Sequence, residues 1–437
     1  MNKNQELQAK ARKRIPGGNQ LLSKRPEMFA PEVWPGYYSK ADGVKIWDLN
    51  NHCYLDMSIS GIGANIFGYC DPDIDKAVIN AIKKGNSTSL NCAEEVVLAD
   101  LMIKLHPWGQ MARYTRSGGE SMTLAVRVAR AHTRRDKVAF CGYHGWHDWY
   151  LAANLKEEED ALKEHLLPGL DPLGVPKGLL GTALPFKYND LEGLKEIMSS
   201  NKGEIAAIIM EPIRSIQPEA GFLEGARDLA DKYGAVLVFD EITSGFRINN
   251  GGAHLLYGVN PDIAVFAKGI SNGYPMGIVF GRDEVMQSAQ STFISSTYWT
   301  ERIGPAAAIA TIQKFCKNNA YKKLNLIGKL VQEGWLDASL KNELDVDITG
   351  LYPLSFFSFN YPNGKAMMTL FVQLMLERNF LASGRFYANY AHQKSHVRLY
   401  IKAVNEVFSI IKDAHQNNTV NDLLKGPVAH SGFKRLT

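Results

Sequence analysis

The chain of 437 residues has few of the features that mark disulfide-rich, zinc-binding or membrane-spanning proteins. Its five cysteines include no CxxC pair, so we expect neither a disulfide framework nor a zinc ribbon. It has no apolar run of about 18 residues, which excludes a membrane-spanning helix. The basic N-terminus has no apolar stretch after it, so we expect no secretory signal and a cytoplasmic location. The 49 basic and 45 acidic residues form no long block of one sign, which predicts no nucleic-acid or membrane partner.

The middle of the chain alternates short apolar runs with stretches of helical spacing. The apolar runs lie at 138–142, 205–211, 235–241, 262–269 and 277–281. Continuous apolar runs separated by helices predict an α/β fold, in which a mostly parallel sheet is covered by helices on both faces. Ligands of such sheets bind beyond the carboxyl ends of the strands. Polar residues that follow these runs are therefore the first candidates for a site.

Helical spacing dominates from about residue 306, and this change predicts more than one domain. We expect a large domain of residues 57–305 and a smaller α+β domain of residues 306–437. The N-terminal segment, residues 1–56, is expected to pack with the small domain. Within it, alternating residues at 43–57 around Asn50 and Asn51 predict a β-hairpin.

Ser117, Gly118 and Gly119 stand just before a stretch of helical spacing that begins near Glu120. The N-terminus of a helix attracts a phosphate through unpaired N–H groups and the positive end of the helix dipole. Glycine allows the backbone to come close to such an anion. The alternative is an ordinary glycine-rich turn with a serine cap.

An acid and a lysine each follow an apolar run. Asp240 ends one run and Lys268 follows another. Taken alone, each has a simpler explanation: a surface or capping acid, and a lysine whose amine reaches water. Together with the glycine-rich turn, they are the parts that hold pyridoxal 5'-phosphate. The turn would bind the phosphate, the acid the ring nitrogen, and the lysine amine the aldehyde carbon.

Several motifs, in order and spacing, resemble the class III aminotransferases among the fold-type I pyridoxal-phosphate enzymes. The resemblance is strongest to the glutamate-1-semialdehyde aminomutase branch, and it runs from about Ile15 to the C-terminal helices. The matching motifs are IPGG at 15–18, SGGES at 117–121, GYHG at 142–145, FDEITSGFR at 239–247 and AKGISNGYPMG at 267–277. The resemblance implies a large domain with the sheet and a smaller α+β domain built from both termini.

The resemblance also implies roles around the cofactor ring. Lys268 would form the internal aldimine, and Asp240 would pair with the ring nitrogen. Tyr143 would stack on one face of the ring, and Ile242 would pack on the other. Lys268, once displaced by a substrate amine, would move the proton between the two reacting carbons.

On the phosphate side, the resemblance gives the binding role to Ser117, Gly118 and Gly119. Thr297 would reach the phosphate of the partner subunit. The expected active unit is therefore a homodimer with its active site at the subunit interface.

The substrate side departs from the family. Lys24 and Arg25 stand near the place of an arginine that binds the substrate carboxylate in the aminomutase branch. A family tryptophan aligns with Ile62 and a family glutamate with Tyr387. A rebuilt stretch, SSTYWTERIGP at 295–305, introduces Arg302.

A further cation, Arg385, lies beside Tyr387 in a segment that borders the pocket in the family. The candidate substrate residues are Lys24, Arg25, Arg302, Arg385 and Tyr387. Arg302 and Arg385 have a simpler alternative as surface arginines. We expect glutamate-1-semialdehyde to be a poor substrate and a larger or differently charged carbonyl compound to be the acceptor.

A metal site is a further interpretation of His144, His147 and Asp148, which stand close together in the sequence. Because the further ligand and its spacing are missing, we expect no metal.

The function predicted is that of an aminotransferase that moves an amino group between a small-molecule amino donor and a carbonyl acceptor, through the internal aldimine and a pyridoxamine intermediate. The alternative is an aminomutase of the glutamate-1-semialdehyde type, in which one substrate is both donor and acceptor. A racemase or decarboxylase would use the same cofactor. A binding protein without catalysis is disfavoured, because it would need neither the amine of Lys268 nor the carboxylate of Asp240.

Overall fold

The computed structural model describes residues 2–156, 161–162, 165, 170–213 and 215–432. The chain forms two compact units. One comprises Met1–Asp71 together with Lys322–Thr437, and the other comprises Pro72–Tyr321.

The described residues form fourteen strands and twelve α-helices, with short 3₁₀ turns between them. The strands β1 to β14 are Tyr38–Asp42, Lys45–Asp48, Cys53–Met57, Met111–Thr115, Lys137–Cys141, Ala183–Pro185, Ile205–Met210, Val236–Asp240, Ile263–Phe266, Gly277–Gly281, Val346–Leu351, Leu354–Phe359, Phe380–Ala382 and Arg385–Tyr387. The helices α1 to α12 are Lys3–Arg12, Pro72–Lys83, Glu94–Leu105, Gly118–Thr133, Asp148–Leu151, Leu191–Ser200, Phe222–Tyr233, Asp283–Met286, Ile303–Asn318, Ala320–Lys341, Gly364–Glu377 and Lys394–Gln416.

The unit of residues 72–321 is built on a seven-stranded sheet with the order β4-β10-β9-β8-β7-β5-β6. The five strands from β9 to β6 run parallel to one another. Strand β10 runs antiparallel to both of its neighbours, β9 and β4. The sheet is therefore mostly parallel, as predicted. The direction of β10 was not predicted, because an apolar run reads the same in either direction.

The central strands are apolar on both sides because each side faces a different core. Val138 and Phe140 of β5 pack in one core with residues of α4. Ala139 and Cys141 of the same strand pack in the other core with residues of α6 and α7. Successive side chains of a strand point to opposite faces, so helices on both faces require a continuous apolar run. The prediction of a sheet covered on both faces is confirmed.

The other unit is α+β and draws on both ends of the chain. Its four-stranded sheet has the order β1-β2-β3-β13, and β13, from the C-terminal part, pairs in parallel with β3. A three-stranded antiparallel sheet has the order β11-β12-β14. The hairpin predicted around Asn50 and Asn51 is formed by β2 and β3, and Asn51 takes the left-handed conformation that such a turn requires (φ 63°).

The two units divide the chain at other points than the boundaries expected from the sequence. Helix α9 packs on α2 and α3, so most of the stretch 306–321 lies in the sheet-containing unit rather than with the small domain. Residues 57–71 lie in the unit formed by the two ends of the chain. Helical spacing alone does not indicate which sheet a helix covers.

Among the described residues, no helix is both long enough and apolar enough to cross a membrane.

Candidate active site

Asp240 is the last residue of β8, and its side chain is buried at the carboxyl end of that strand. Its Oδ1 accepts a hydrogen bond from the amide of Ile242 at 3.0 Å. Its Oδ2 lies 2.8 Å from Nδ1 of His144, which is also buried. The other ring nitrogen of His144, Nε2, lies 3.0 Å from the carbonyl oxygen of Cys141. His144 thus connects the Asp240 carboxylate to the end of β5 and holds its orientation.

Lys268 follows β9, the parallel neighbour of β8, so it stands at the same edge of the sheet as Asp240. Its Nζ donates a hydrogen bond to Oγ1 of Thr243 at 2.9 Å. Its backbone has φ 51°, in the left-handed region that residues with a Cβ seldom adopt. Strained backbone of this kind concentrates at functional sites.

Ser117 caps α4, and the glycines after it lie where the helix begins. A Cβ on Gly118 would lie 2.9 Å from Cδ1 of Ile242, and one on Gly119 would lie 3.2 Å from Nε2 of His147. Neither position has comfortable room for a larger side chain. Helix geometry leaves the first N–H groups of α4 without acceptors inside the helix. This N-terminus is therefore suited to bind a phosphate.

Four consecutive residues, Asp240 to Thr243, connect the three parts of the predicted site. Asp240 supplies the acid. Ile242 lies against Gly118 of the turn Ser117–Gly119, called here the phosphate turn because it is the predicted phosphate site. Thr243 accepts the hydrogen bond from Lys268. The acid, the phosphate turn and the lysine are thus brought together by one short segment at the end of β8.

The neighbouring acid, Glu241, has a different environment. Its fully buried carboxylate accepts hydrogen bonds from the side chain and backbone N–H groups of His254 and from the hydroxyl of Ser244. Burial alone would raise the pKa of Glu241, but these hydrogen bonds outweigh it, and the pKa is lowered. Nε1–H of Trp108 donates to Nε2 of His254 at 3.0 Å, which leaves Nδ1 as the protonated nitrogen. Glu241 is thus a buried structural carboxylate.

Tyr143 follows β5 by two residues and is partly buried against the core that contains α4. Its amide donates to Oε2 of Glu211, which follows β7, at 3.3 Å. Its ring packs edge-on against that of Tyr150. These contacts fix the loop after β5, on the same strand ends as Asp240.

Thr297 and Arg302 lie on the rebuilt stretch of the same unit. Thr297 is exposed and begins a short 3₁₀ turn, Thr297–Thr300. Arg302 contacts Oε2 of Glu94 through Nε at 3.1 Å and donates from Nη1 to the carbonyl of Lys84 at 3.2 Å. An incoming anion would have to compete with Glu94 for Arg302, so this geometry favours a structural role.

The other candidate substrate residues lie in the unit formed by the two ends of the chain. Lys24 is exposed, and Arg25 is half-buried beside Gly17, where a Cβ would lie 2.3 Å from its Nη2. Arg385 is exposed on β14. Tyr387, on the same strand, is half-buried, and its amide donates to the carbonyl of Ser58 at 2.7 Å.

Ile62, which aligns with a family tryptophan, stands in a run of four residues with positive φ, from Ser60 to Gly63. A β-branched residue in this region is strained, at a cost of about 1–3 kcal/mol.

The metal interpretation of the histidines finds no support in the contacts that they make. His144 is engaged with Asp240 and the Cys141 carbonyl, and Nδ1 of His147 lies 2.7 Å from Oγ1 of Thr123. In the part of the chain that the structure describes, no three His, Cys, Asp or Glu side chains are grouped as metal ligands.

Two contacts of the site are not predicted by the sequence. The sequence suggests His144 only as a metal ligand, and it gives Thr243 no role of its own. His144 could have been found as a polar residue just after a parallel strand, by the reasoning applied to Asp240. Thr243 has no distinguishing signal, because a threonine beyond a strand is common.

Comparison with known proteins agrees with this fold. The sequence model of the family "Aminotransferase class-III" matches residues 29–364. A 3-aminobutyryl-CoA aminotransferase of Cloacimonas acidaminovorans (strain Evry) is 37% identical over 311 residues, 69% of this chain and 70% of that protein.

Two solved structures illustrate the shared architecture. The internal aldimine form of the FumI protein of Sphingopyxis sp. MTA144 superposes with a TM-score of 0.85 at 22% identity, covering 94% of this chain and 97% of that one. A glutamate-1-semialdehyde aminomutase of Pseudomonas aeruginosa PAO1 gives a TM-score of 0.79 at 18% identity, covering 93% and 94%.

The chain belongs to the class III aminotransferases. It is a pyridoxal-phosphate-dependent aminotransferase, which moves an amino group from a donor to a carbonyl acceptor. The site residues fit this cofactor. The glycines at the start of α4 leave space that a Cβ would fill, and a buried acid and a lysine amine stand at the neighbouring strand ends.

Proposed function

We propose that Lys268, Asp240 and the turn Ser117–Gly119 bind one pyridoxal phosphate and form the catalytic centre. The observation that supports this most is the segment Asp240–Thr243. Its residues carry the acid, pack on Gly118 and accept a hydrogen bond from Lys268 Nζ. A segment that contacts three groups far apart in the sequence is what a single ligand bound by all three requires.

When bound, the cofactor accepts the electron pair that remains after a proton leaves the substrate carbon. The Asp240 carboxylate would hold a proton on the ring nitrogen. Lys268 Nζ would take the proton from the substrate carbon and deliver it to the second reacting carbon. Tyr143 and Ile242 would cover the two ring faces, and Ser117, Gly118 and Gly119 would bind the phosphate.

We also propose that the amino group moves between two different molecules and that the donor is an amino acyl thioester of the 3-aminobutyryl-CoA kind. The support is the 37% identical relative that is named for this substrate. A thioester of this size also agrees with the expectation of a larger substrate than glutamate-1-semialdehyde. The donor would become the 3-oxo thioester, and the acceptor carbonyl would become an amine.

The test is a half-reaction with the purified holoenzyme and no acceptor. With 3-aminobutyryl-CoA, the visible absorbance of the cofactor should disappear while an equal amount of 3-oxo thioester forms. A 2-oxo acid should then restore the absorbance. Return of the absorbance without any acceptor would indicate an aminomutase or racemase instead.

Glutamate-1-semialdehyde is the second substrate of this test. We expect its conversion to 5-aminolevulinate to have a kcat/KM below about 10⁴ M⁻¹s⁻¹, the low end for natural substrates. A higher value would favour the aminomutase.

We propose further that the active enzyme is a homodimer in which Thr297 reaches the partner's phosphate site. Large apolar side chains near Thr297 support this: Phe293 is 85% exposed and Tyr298 is 72% exposed. Exposed apolar groups of this size mark interaction surfaces when they cluster. Val96, 65% exposed, lines a cleft of about 390 Å³ together with Ser296 and Trp299.

Sedimentation velocity tests the dimer. The wild type should sediment as a dimer, and Phe293→Asp with Tyr298→Asp should produce a less active monomer. Leu256→Asp, an exposed leucine elsewhere in the same unit, serves as the control and should remain dimeric. A fully active wild-type monomer would refute the proposal.

We propose a cytoplasmic location. None of the five cysteines, all of which lie within the described residues, forms a disulfide, which agrees with a reducing compartment. Labelling of the protein in intact and lysed cells with a membrane-impermeant thiol reagent tests it, and labelling in intact cells would contradict it.

A further inference from the structure

The stretch of residues 292–302, called here the Thr297 segment, has little regular structure of its own. It contains only the short 3₁₀ turn Thr297–Thr300, and most of its side chains are exposed. Its backbone is bound instead by side chains of β4 and of the residue that follows this strand. Nη2 of Arg113 donates to the carbonyl of Ile294 at 2.7 Å. Nη2 of Arg116 donates to the carbonyls of Trp299 at 2.9 Å and Glu301 at 3.0 Å.

Arg116 also forms an ion pair with the Glu301 side chain. Its Nε lies 2.7 Å from Oε1 of Glu301, and the two side chains are only 13% and 12% exposed. The Glu301 carboxylate accepts hydrogen bonds from the amides of Ile303 at 2.7 Å and Gly304 at 2.8 Å. It therefore caps the N-terminus of α9 as well. The pair joins the end of the Thr297 segment to a helix and to the strand β4.

Arg116 is the residue immediately before the phosphate turn. Its amide donates to Oε2 of Glu120 at 3.0 Å, and the same oxygen accepts from Oγ of Ser117 at 3.1 Å. Its Nη1 donates to the carbonyl of Thr115 at 2.8 Å. Arg116 therefore contacts the Thr297 segment through its side chain and the first turn of α4 through its backbone amide.

We propose that the Arg116–Glu301 ion pair positions the Thr297 segment relative to the phosphate turn, so that affinity for the cofactor's phosphate depends on it. This inference rests on the proposed function, which places the phosphate at Ser117–Gly119. Both are positioning residues, since their side chains contact backbone groups, each other and, in the case of Arg116, the sulfur of Met276. If Thr297 reaches the partner's phosphate, one such pair acts on two sites of the dimer.

The experiment compares cofactor affinity with and without the phosphate. Glu301→Gln keeps the size of the side chain and removes its charge. Dissociation constants of the apo-enzyme are measured for pyridoxal 5'-phosphate and for pyridoxal, which has no phosphate. We expect the dissociation constant for pyridoxal phosphate to rise about tenfold, because small displacements of binding groups weaken binding strongly. The dissociation constant for pyridoxal should change less than about twofold.

Glu94→Gln is the matched control. It removes the Arg302–Glu94 pair, which lies beside the same segment and is similarly exposed, at 20% and 23%. It should leave the ratio of the two constants unchanged. Glu301→Asp retains the charge and should recover most of the affinity for pyridoxal phosphate. It also provides a second variant should Glu301→Gln fold poorly.

Equal weakening of both ligands by Glu301→Gln, or no change in either, would overturn the inference and leave the pair with a purely structural role. A wild type that binds pyridoxal as tightly as pyridoxal phosphate would instead refute the proposed phosphate site. The two failures are thus distinguishable.

Discussion

Nδ1 of His144 lies 2.8 Å from Oδ2 of Asp240, while Nε2 of the same ring lies 3.0 Å from the carbonyl oxygen of Cys141. A carbonyl oxygen can only accept, so Nε2 carries a hydrogen. Nδ1 then either donates to a charged Asp240 carboxylate or accepts from a neutral carboxyl group. If Asp240 keeps the pyridine nitrogen of the cofactor protonated, its own carboxylate must be charged. His144 must then carry a hydrogen on both ring nitrogens.

The first prediction follows from this arrangement. In ¹⁵N NMR spectra of the holoenzyme at neutral pH, both ring nitrogens of His144 should carry hydrogens. His254 is the internal control, because its Nε2 accepts from Trp108 and should appear without a hydrogen. A bare Nδ1 on His144 would mean that the shared proton resides on Asp240, and the proposed role of Asp240 would fail.

The second prediction separates two adjacent acids. Asp240→Asn should retain the cofactor and lose about 2–4 orders of magnitude in kcat, the scale of a lost electrostatic partner. Glu241→Gln should lower the melting temperature while kcat per folded molecule stays near that of the wild type, since the Glu241 carboxylate accepts its hydrogen bonds from His254 and Ser244 rather than from a group of the predicted site. Near-normal turnover of Asp240→Asn would make Asp240 a structural residue.

The third prediction concerns Lys268. Its amine donates a hydrogen bond to Thr243 beyond the carboxyl ends of the parallel strands, where the cofactor is proposed to bind. Borohydride reduction of the holoenzyme should therefore attach the cofactor to this lysine alone. Lys268→Ala should lose the visible absorbance after dialysis. Lys232→Ala, on the surface helix α7, should keep it. Peptide mapping that finds the label on a different lysine would disprove the assignment.

The fourth prediction is a loss of stability in acid through His392. Burial lowers the pKa of His392 to about 4 from its ordinary value of 6.5. Its Nδ1 accepts from the amide of Asn389, and its Nε2 donates to the carbonyl of Asp56, so a second proton has no place in the folded chain. Between pH 6.5 and 4 the unfolded chain binds more protons at this histidine than the folded chain does. The contribution of His392 to the free energy of unfolding is therefore fully present above about pH 6.5. It is lost as the pH falls, by up to about 3 kcal/mol.

Urea unfolding at pH 7.5 and at pH 4.5 measures this loss. His392→Gln preserves a donor and an acceptor and should reduce the difference between the two pH values. The exposed His132→Gln should leave it as in the wild type. Burial also lowers the pKa of His106, to about 3, so part of the difference should persist in His392→Gln. An unchanged difference in that variant would contradict the role of His392.

Much of the fold and the centre of the site were predictable because they depend on local patterns. The apolar runs identified β5, β7, β8, β9 and β10, and polar residues at two strand ends were correctly located at one edge of the sheet. The order of the strands, the reversed direction of β10 and the unit to which α9 belongs were not predictable. These depend on contacts between distant segments, for which an apolar pattern carries no information on partner or direction.

In the candidate site, too, some features are predictable from the sequence and others are decided only by the tertiary structure. The residue types at 117–119, 240 and 268, with their spacing, were sufficient to predict the cofactor chemistry, because a phosphate, a ring nitrogen and an aldehyde each require a distinct group. The pairing of His144 with Asp240, 96 residues apart, and of Arg116 with the Thr297 segment, 185 residues apart, is decided only by tertiary structure. Tertiary structure also decides the ion pair of Arg302 with Glu94. This pair engages an arginine that the sequence suggests as a substrate residue. Hydrogen bonds and ion pairs require distances near 3 Å and correct directions, and the path of the whole chain determines which distant groups meet these conditions.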